Sequence, residues 1–466
     1  MADITLTYKG STILSLEDSA TKTIKTGGKF CEGDIGVSYV KPSSEVYAAI
    51  SVTYPAGSTC TATNGAITLT AADTSGQVVF WIPEPSSTPE TWTVSCTDGA
   101  DTDSTTVILS VYGQIEYVDL FYGATYGVTW DGTPTTAWTR TDASANFSDP
   151  VPYISGSSSY GSPFDNLSPW KDITRISDSS VGEMVKIPKF WYKLTQAGTT
   201  ISIQISNKAS EGFSVCPACM DRGDGKGERD YILVGRYHCA SDYKSKTGVK
   251  PVGSKTRAAF RTGIQALGTG VYMLDFATKF TIWMLYLVEF ANWNSQDTIG
   301  RGCGNGSATQ NMGYTDSMPY HTGTTIGSRA SYGLGTQYRY IEGLWDNIRD
   351  WIDGCYYSSN GLMIIKNPTQ FSDSSNGISV GRISSGYPSG FSVKNVQYTF
   401  PLFIPYGGVG SNSTYSSDYW SYSSSYACLC SGGFYTQGLD YGLFYIYGTS
   451  ISDSGISIGS RLMKLP

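Results

Sequence analysis

The sequence predicts a multi-domain protein in which two small all-β modules precede one large α+β domain, and three observations carry that expectation. The chain has 466 residues, more than a single hydrophobic core ordinarily serves. Charged residues make up only 15% of it, against about 25% in an average soluble domain, while Gly, Ser, Thr and the 34 Tyr are abundant. Helices draw most on Glu, Lys, Ala and Leu, so this bias favours short strands and ordered loops. Finally, short β-type runs crowd the first quarter of the chain, and helix-type periodicity enters only after it.

Residues 1–42 form the first module, where ITLTYKGSTI, TKTIKT and IGVSYV alternate with Gly-rich or charged turns. Residues 43–115 form the second. The runs AAISVTY, AITLTA, VVFWI, TWTVSC and TTVILSVY recur there, with turn signals such as Thr63-Asn64-Gly65 between them. Regular short strands of this kind predict a compact immunoglobulin-like β-sandwich. PEPSSTPE, with Pro83, Pro85 and Pro89, is expected as a loop inside it. Cys60 and Cys96 flank Trp81 in the manner of an inter-sheet disulfide, whereas the other cysteines read as buried free thiols. A boundary between Gly113 and Leu120 opens the third domain, 116–466, for which two helices are predicted. The stretch Thr278 to Trp293 is apolar almost all round, which implies burial on most sides. In IEGLWDNIRDWI, Ile341, Leu344, Trp345, Ile348, Trp351 and Ile352 fall at helical spacing on one face.

Several function classes lose support at once. The net charge is −7 and no basic cluster exists, so the counterion release that drives nucleic-acid binding has no source. The longest apolar run, Phe280 to Val288, is closed by Glu289 and falls far short of the ~20 residues of a membrane span. Met1 to Gly10 has neither the basic nor the apolar region of a signal peptide, so synthesis and folding in a cytoplasm are expected. His238 and His321 are the only histidines, which removes most His-dependent metal and acid–base schemes. Cys216-Pro217-Ala218-Cys219 lacks a second ligand pair for zinc, His238 with Cys239 being the nearest supplement, and is expected within a strand. In DRGDGKGERD the acidic residues depart from EF-hand spacing, so it reads as a Gly-rich turn between strands ending near Met220 and starting near Tyr231. Neither Arg222-Gly223-Asp224 within it nor Asn305-Gly306-Ser307 in a later polar loop is assigned a site.

Larger motifs carry a resemblance. YGVTWDGTPTTAWTRTDA (Tyr126 to Ala143), VKIPKFWYKL (Val185 to Leu194), IWMLYLVEFANWNSQDTIGRG (Ile282 to Gly302), GLWDNIRDWIDG (Gly343 to Gly354), CLCSGGFYTQGLDYGLFYIYG (Cys428 to Gly448) and IGSRLMKLP (Ile458 to Pro466) occur in this order. Together they resemble phage tail-tip domains with the formylglycine-generating-enzyme type of C-type lectin fold. The first module is similar to a short module of phage and prophage tail proteins. SGGFYTQGLDYGLFYIYGTSISDSGISIGSRL further resembles the C-terminal template of variable proteins of diversity-generating retroelements, the family of the major tropism determinants. It keeps that template's skeleton at Gly432, Gly433, Gly438, Gly442, Leu443, Phe444, Ile458, Gly459, Arg461 and Leu462. The positions between differ, as adenine-directed mutagenesis of Asn codons implies. The resemblance implies a receptor-binding protein of the virion tail, made in a bacterial cytoplasm, homotrimeric, and in contact with other tail proteins and a host cell-surface protein or glycan. It implies neither nucleic-acid binding nor membrane insertion.

The residues support a binding surface independently of that family. Ser411 to Ser450 holds ten Ser, eight Tyr and five Gly, more hydroxyls than a core could satisfy. Tyr offers large contact area at the cost of two torsions, and Ser and Gly offer adaptable polar contacts, as in antibody paratopes. The variable region is placed at about 411–455. Its expected ligand-binding residues are Tyr422, Ser424, Tyr426, Tyr435, Gln437, Asp440, Tyr441, Tyr445, Tyr447, Thr449 and Ser450. No catalytic residue, metal ligand or cofactor is assigned. Lectin-like folds of this broad type sometimes bind calcium, so a structural ion stays open without a named ligand. The alternatives are a metal-dependent oxidase of the formylglycine-generating type and a non-variable structural tail protein. For the oxidase, Cys428 and Cys430 are the sole candidate pair, one residue apart where that family's cysteines are several apart, so the chain is expected not to be an enzyme.

Overall fold

Strands dominate the regular structure of the chain in a computed structural model, as its shortage of helix-favouring residues predicts. The structure describes residues 4–8, 11–16, 21–24, 37–40, 47–54, 56–71, 74–83, 90–98, 101–109, 115–119, 124–302, 306–421, 427–436 and 438–466. They fall into two compact units, 1–124 and 125–466.

In the first unit, Ile4–Tyr8 pairs antiparallel with Ser11–Leu16, and Thr21–Ile24 with Val37–Val40. A four-stranded sheet follows in the order Asp101–Leu109, Glu90–Asp98, Thr59–Thr63, Thr68–Thr70, and a three-stranded sheet in the order Ile115–Asp119, Tyr47–Thr53, Gln77–Pro83. Both contribute to one core, in which Ile50, Val52, Phe80 and Ile82 meet Ala62, Trp92, Val94 and Val107. The expected turn at Thr63-Asn64-Gly65 is present, its Asn64 Oδ1 accepting the N–H groups of Ala66 at 3.0 Å and Ile67 at 2.8 Å.

Three expectations for this unit change. Thr59–Thr63 and Ile115–Asp119 are strands that the spacing missed. Because Ile115–Asp119 pairs parallel with Tyr47–Thr53, the β region continues past residue 115. Cys60 and Cys96 are both buried and stand opposite each other in neighbouring strands of one sheet, so they do not bridge the two sheets. Burial pushes the Cys60 thiol up to about 12. Most of PEPSSTPE lies outside the described residues.

The second unit is organised around α2, Phe276–Phe290, every residue of which is buried. The expected helix over Thr278 to Trp293 is therefore present, shifted toward its N-terminus. Asp275 caps it, accepting the Thr278 N–H at 2.9 Å, and Ala291 ends it in a left-handed conformation with φ 48°. The shorter α1, Arg257–Gln265, buries Phe260 and Ile264 and is capped by Thr256.

Two five-stranded sheets and a larger one surround these helices. The first runs Thr139–Asp142, Thr125–Trp130, Thr200–Ser206, Trp191–Ala197, Ser214–Val215. In the second, the C-terminal strand Leu462–Lys464 is inserted between Tyr231–Gly235 and Val271–Met273. The third has the order Ile378–Gly381, Gly361–Ile364, Arg349–Ser358, Ala427–Ser431, Ile446–Ser450, Trp420–Ser421. Ile458–Gly459 pairs parallel with Arg349 and Asp350 at its margin.

The amphipathic helix expected over Ile341 to Ile352 is absent. Ile341–Glu342 is a short strand, the chain turns through Asn347 at φ 65°, and Arg349–Ser358 is a strand buried along its whole length. A strand covered on both faces needs no polar alternation, and a short apolar run of that kind mimics helical spacing. Cys216 and Cys219 also differ from expectation. They lie in a turn just after Ser214–Val215, with the Cys219 and Met220 N–H groups donating to the Cys216 carbonyl at 3.0 Å. The Gly-rich 221–230 turn does precede a strand starting at Tyr231, and Arg222 within it is buried against Asp275.

Arg461, fully buried, ties this unit together. Its Nη1 donates to the carbonyls of Gly235 and Arg236, both at 2.7 Å, and its Nη2 to that of Glu342 at 2.6 Å. Its Nε faces Asp350 Oδ2 at 3.4 Å. Replacing Arg461 with Met strands those carbonyls and leaves Asp350 buried without this counter-charge. Chemical denaturation of Arg461→Met is expected to show a loss of about 3–5 kcal/mol; wild-type stability in this variant would refute the clamp.

Candidate ligand-binding face

The strands Ala427–Ser431 and Ile446–Ser450 pair antiparallel, with Cys428 opposite Thr449 and Cys430 opposite Tyr447. Over its first four residues the second strand sorts its side chains by parity, with Ile446 and Gly448 buried and Tyr447 and Thr449 half-buried. Ser450, on the parity of Ile446 and Gly448, is exposed where the strand ends. The Thr449 hydroxyl donates to Asp453 Oδ2 at 2.7 Å, and Ser450 Oγ lies 2.9 Å from Ser452 Oγ.

The turn before this strand is held from below by Asp418, buried at the foot of the segment. Its carboxylate accepts the Gly442 N–H at 2.7 Å and the Phe444 N–H at 2.8 Å. Ser295 Oγ accepts the Leu443 N–H at 2.9 Å, and Trp283 Nε1 donates to the Leu443 carbonyl at 2.9 Å. Phe444 then packs against Trp293 at 5.0 Å and Trp283 at 5.4 Å between ring centroids. Gly442 is required because a Cβ there would lie 2.6–2.7 Å from both Asp418 oxygens and from Ser295 Oγ. Gly432 has φ 77°, and a Cβ on it would meet the Leu344 carbonyl at 2.5 Å.

The segment thus separates into two sets. Gly432, Gly433, Gly442, Leu443, Phe444, Ile458, Gly459, Arg461 and Leu462 are buried, and Gly438 is half-buried. Tyr435, Asp440 and Tyr441 are half-buried alongside Tyr447 and Thr449. Tyr435 is anchored through its backbone, its N–H donating to Asn347 O at 3.2 Å and its carbonyl accepting from Gly306 at 2.9 Å. Tyr445 is the correction. Expected in the display, it is only 3% exposed and packs edge-on against Tyr441 at 4.5 Å. It precedes the first inward-facing strand position, and the Phe444 anchor turns it under the surface. Tyr422, Ser424, Tyr426 and Gln437 lie outside the described residues.

Sequence reasoning missed three contributors. Asp418 and Ser295 hold the turn, yet neither carries a spacing signal. Arg349, inside the stretch expected as a helix, instead begins the strand that pairs with Ala427–Ser431. Its guanidinium carbon lies 4.5 Å from the Phe434 ring centroid, 4.8 Å from that of Tyr447 and 5.8 Å from that of Tyr445. Tyr387 and Tyr419 add a further half-buried pair at 5.3 Å, and the Tyr419 N–H donates to the Asp440 carbonyl at 3.1 Å.

Burial sets the electrostatics. The Asp418 carboxyl is pushed up to about 8, chiefly by burial, although the two N–H donors oppose this. Burial pushes the Lys279 ammonium down to about 8 and the Cys428 and Cys430 thiols up to about 12. Among the described residues no three His, Cys, Asp or Glu side chains are grouped to hold a metal ion, and no helix is long and apolar enough to cross a membrane.

No protein-family model and no curated protein matches this chain.

Gly442→Ala is expected to cost about 1–3 kcal/mol by overpacking against Asp418, whereas Ser450→Ala, at an exposed position, should stay within about 0.5 kcal/mol of wild type. Equal effects in urea titrations would erase the distinction between scaffold and display. Stability should also fall as pH rises from 6.5 to 8. Asp418 and Glu342, the latter pushed up to about 7 by burial, keep protons in the native state that the unfolded chain has already released, so their contribution is present at acid pH and lost through that window. The buried histidines, held below their ordinary value of 6.5, and Lys279, pushed down to about 8, oppose this, but the unfolded histidines are already half titrated at pH 6.5 and native Lys279 only half titrated at pH 8, so the two carboxyls set the sign. Urea midpoints at the two pH values check the slope; a higher midpoint at pH 8 contradicts it.

Proposed function

We propose that the unit 125–466 is the receptor-binding part of a phage or prophage tail-tip protein. In this reading it is a C-type lectin fold of the formylglycine-generating-enzyme type that displays a replaceable aromatic surface to a host cell-surface protein or glycan. The unit 1–124, with an immunoglobulin-like sandwich, acts as attachment element and spacer toward other tail proteins. The assembly is a homotrimer on the virion tail, in which weak single contacts add to avidity.

One observation carries this reading. Within a single short segment, the skeleton shared with variable proteins is buried or half-buried and pinned by Asp418, Ser295 and Arg461. Asp440, Tyr441, Tyr447, Thr449 and Ser450, by contrast, keep contact with solvent. Positions that hold the fold and positions that can vary are thereby separated, which diversification without unfolding requires. The role is non-enzymatic: Cys428 and Cys430, the pair an oxidase would use, are buried and their thiols are held far from the thiolate a reactive cysteine needs.

The test is a whole-cell screen of bacterial strains with the full chain, alongside a glycan array. A variant carrying Asp440→Ala, Tyr441→Ser, Thr449→Ala and Ser450→Ala should melt within a few degrees of wild type and lose labelling of the strain that wild type labels best. Undiminished labelling by the folded variant overturns the receptor role of this face. A near-copy of the C-terminal coding sequence beside the gene, differing at adenines and accompanied by a reverse transcriptase gene, is expected from diversification. Without such a copy the chain is a non-variable tail protein.

A further inference from the structure

The buried arginines of this unit follow one rule with one exception. Arg222, Arg229, Arg236, Arg257, Arg339 and Arg461 are all buried, and each pairs with a carboxylate: Asp275, Asp224, Asp316, Asp373, Glu289 and Asp350 respectively. Such pairing is what makes a buried guanidinium tolerable. Arg349 is 9% exposed, its Nε is buried without a hydrogen-bond partner, and no acceptor or carboxylate among the described residues meets its guanidinium.

Aromatic rings stand where the counter-ion is missing, Phe434 at 4.5 Å, Tyr447 at 4.8 Å and Tyr445 at 5.8 Å. Their quadrupoles attract the cation but carry no net charge, so the site stays short of one negative charge. Ring π-systems accept no in-plane hydrogen bond from the N–H groups, and the Nε has no partner, so the N–H edge of the guanidinium stays open to one. That edge matches two oxygens of a carboxylate or phosphate. Its position beneath the display is set by the pairing of Arg349 with Ile458 and by its backbone N–H, which donates to Ser457 O at 3.1 Å.

We propose that Arg349 is the anion-recognition residue of this face, and that the receptor group seated there is an oxyanion carried beside an apolar or ring surface that lies on Tyr447 or Phe434. The inference rests on the reading of this face as ligand-binding and names the chemistry of what it binds. Neutral aromatic contacts supply area, whereas the single unpaired charge selects the ligand that can neutralise it.

Calorimetric titration of the full chain with glucuronate, inorganic phosphate and glucose tests it. Wild type should bind glucuronate or phosphate about tenfold or more tightly than glucose, preference between the two anions telling a carboxylate source from a phosphate one. Arg349→Met, which removes the charge and leaves an unbranched apolar side chain among the rings, should lose that advantage while melting near wild type. Should this variant fail to fold, the wild-type affinity for the anion must still fall with added sodium chloride while that for glucose does not. Equal affinity for all three probes, undiminished anion binding by Arg349→Met, or salt-independent anion binding overturns the inference. Because Arg349 is untouched in the four-position variant of the display, the two proposals fail separately. Cell labelling lost in that variant without any anion preference removes only the role of Arg349.

Discussion

Everything at the C-terminal end of this chain depends on the burial of one guanidinium. An arginine has five N–H donors and cannot shed its charge, so Arg461 could enter the interior only where a fixed set of acceptors already waits. The carbonyls of Gly235, Arg236 and Glu342 and the carboxylate of Asp350 supply it. They come from three separate stretches of chain, and satisfying them together fixes the 231–235 strand, the 341–342 strand and the start of the 349–358 strand relative to the C-terminal strand. Asp350 adjoins Arg349, so the clamp also places the buried arginine that has no carboxylate partner among the described residues.

A second constraint works from the other side. Asp418 organises the 442–444 turn with two backbone hydrogen bonds, and Phe444 drives that turn into the aromatic wall formed by Trp283 and Trp293. Between these two anchors the backbone of the segment is pinned, whereas Asp440, Tyr441, Tyr447, Thr449 and Ser450 keep contact with solvent. Under the proposed binding role, a pinned backbone lets Tyr contribute area at small entropic cost. The fully buried α2 behind the wall keeps the platform stiff.

Residues with a local signature were legible in advance. The all-round apolar run of α2, the strand-rich character of both units, the Asn-Gly turn at 64–65 and the glycines of the C-terminal skeleton each announce a backbone requirement within a few residues. The 341–352 segment was misread because a strand buried on both faces has the same apolar density as an amphipathic helix, and no capping residue distinguished the two. Tyr445 was misread because composition marks a tyrosine as display-like without saying which way it points.

By itself, then, the sequence determined which stretches must be apolar, which turns need glycine, and that a Tyr- and Ser-rich segment is interleaved with small and apolar residues. Only the tertiary structure decided that Asp418, Ser295 and Arg461 hold that skeleton, that Tyr445 is buried, and that Arg349 sits among aromatic rings with no carboxylate partner among the described residues. The reason is physical. Local backbone preference is written over a few neighbouring residues, whereas the partner of a buried charge is separated from it by as many as 226 positions, as for Arg461 and Gly235, and its absence is visible only when every neighbour is in place.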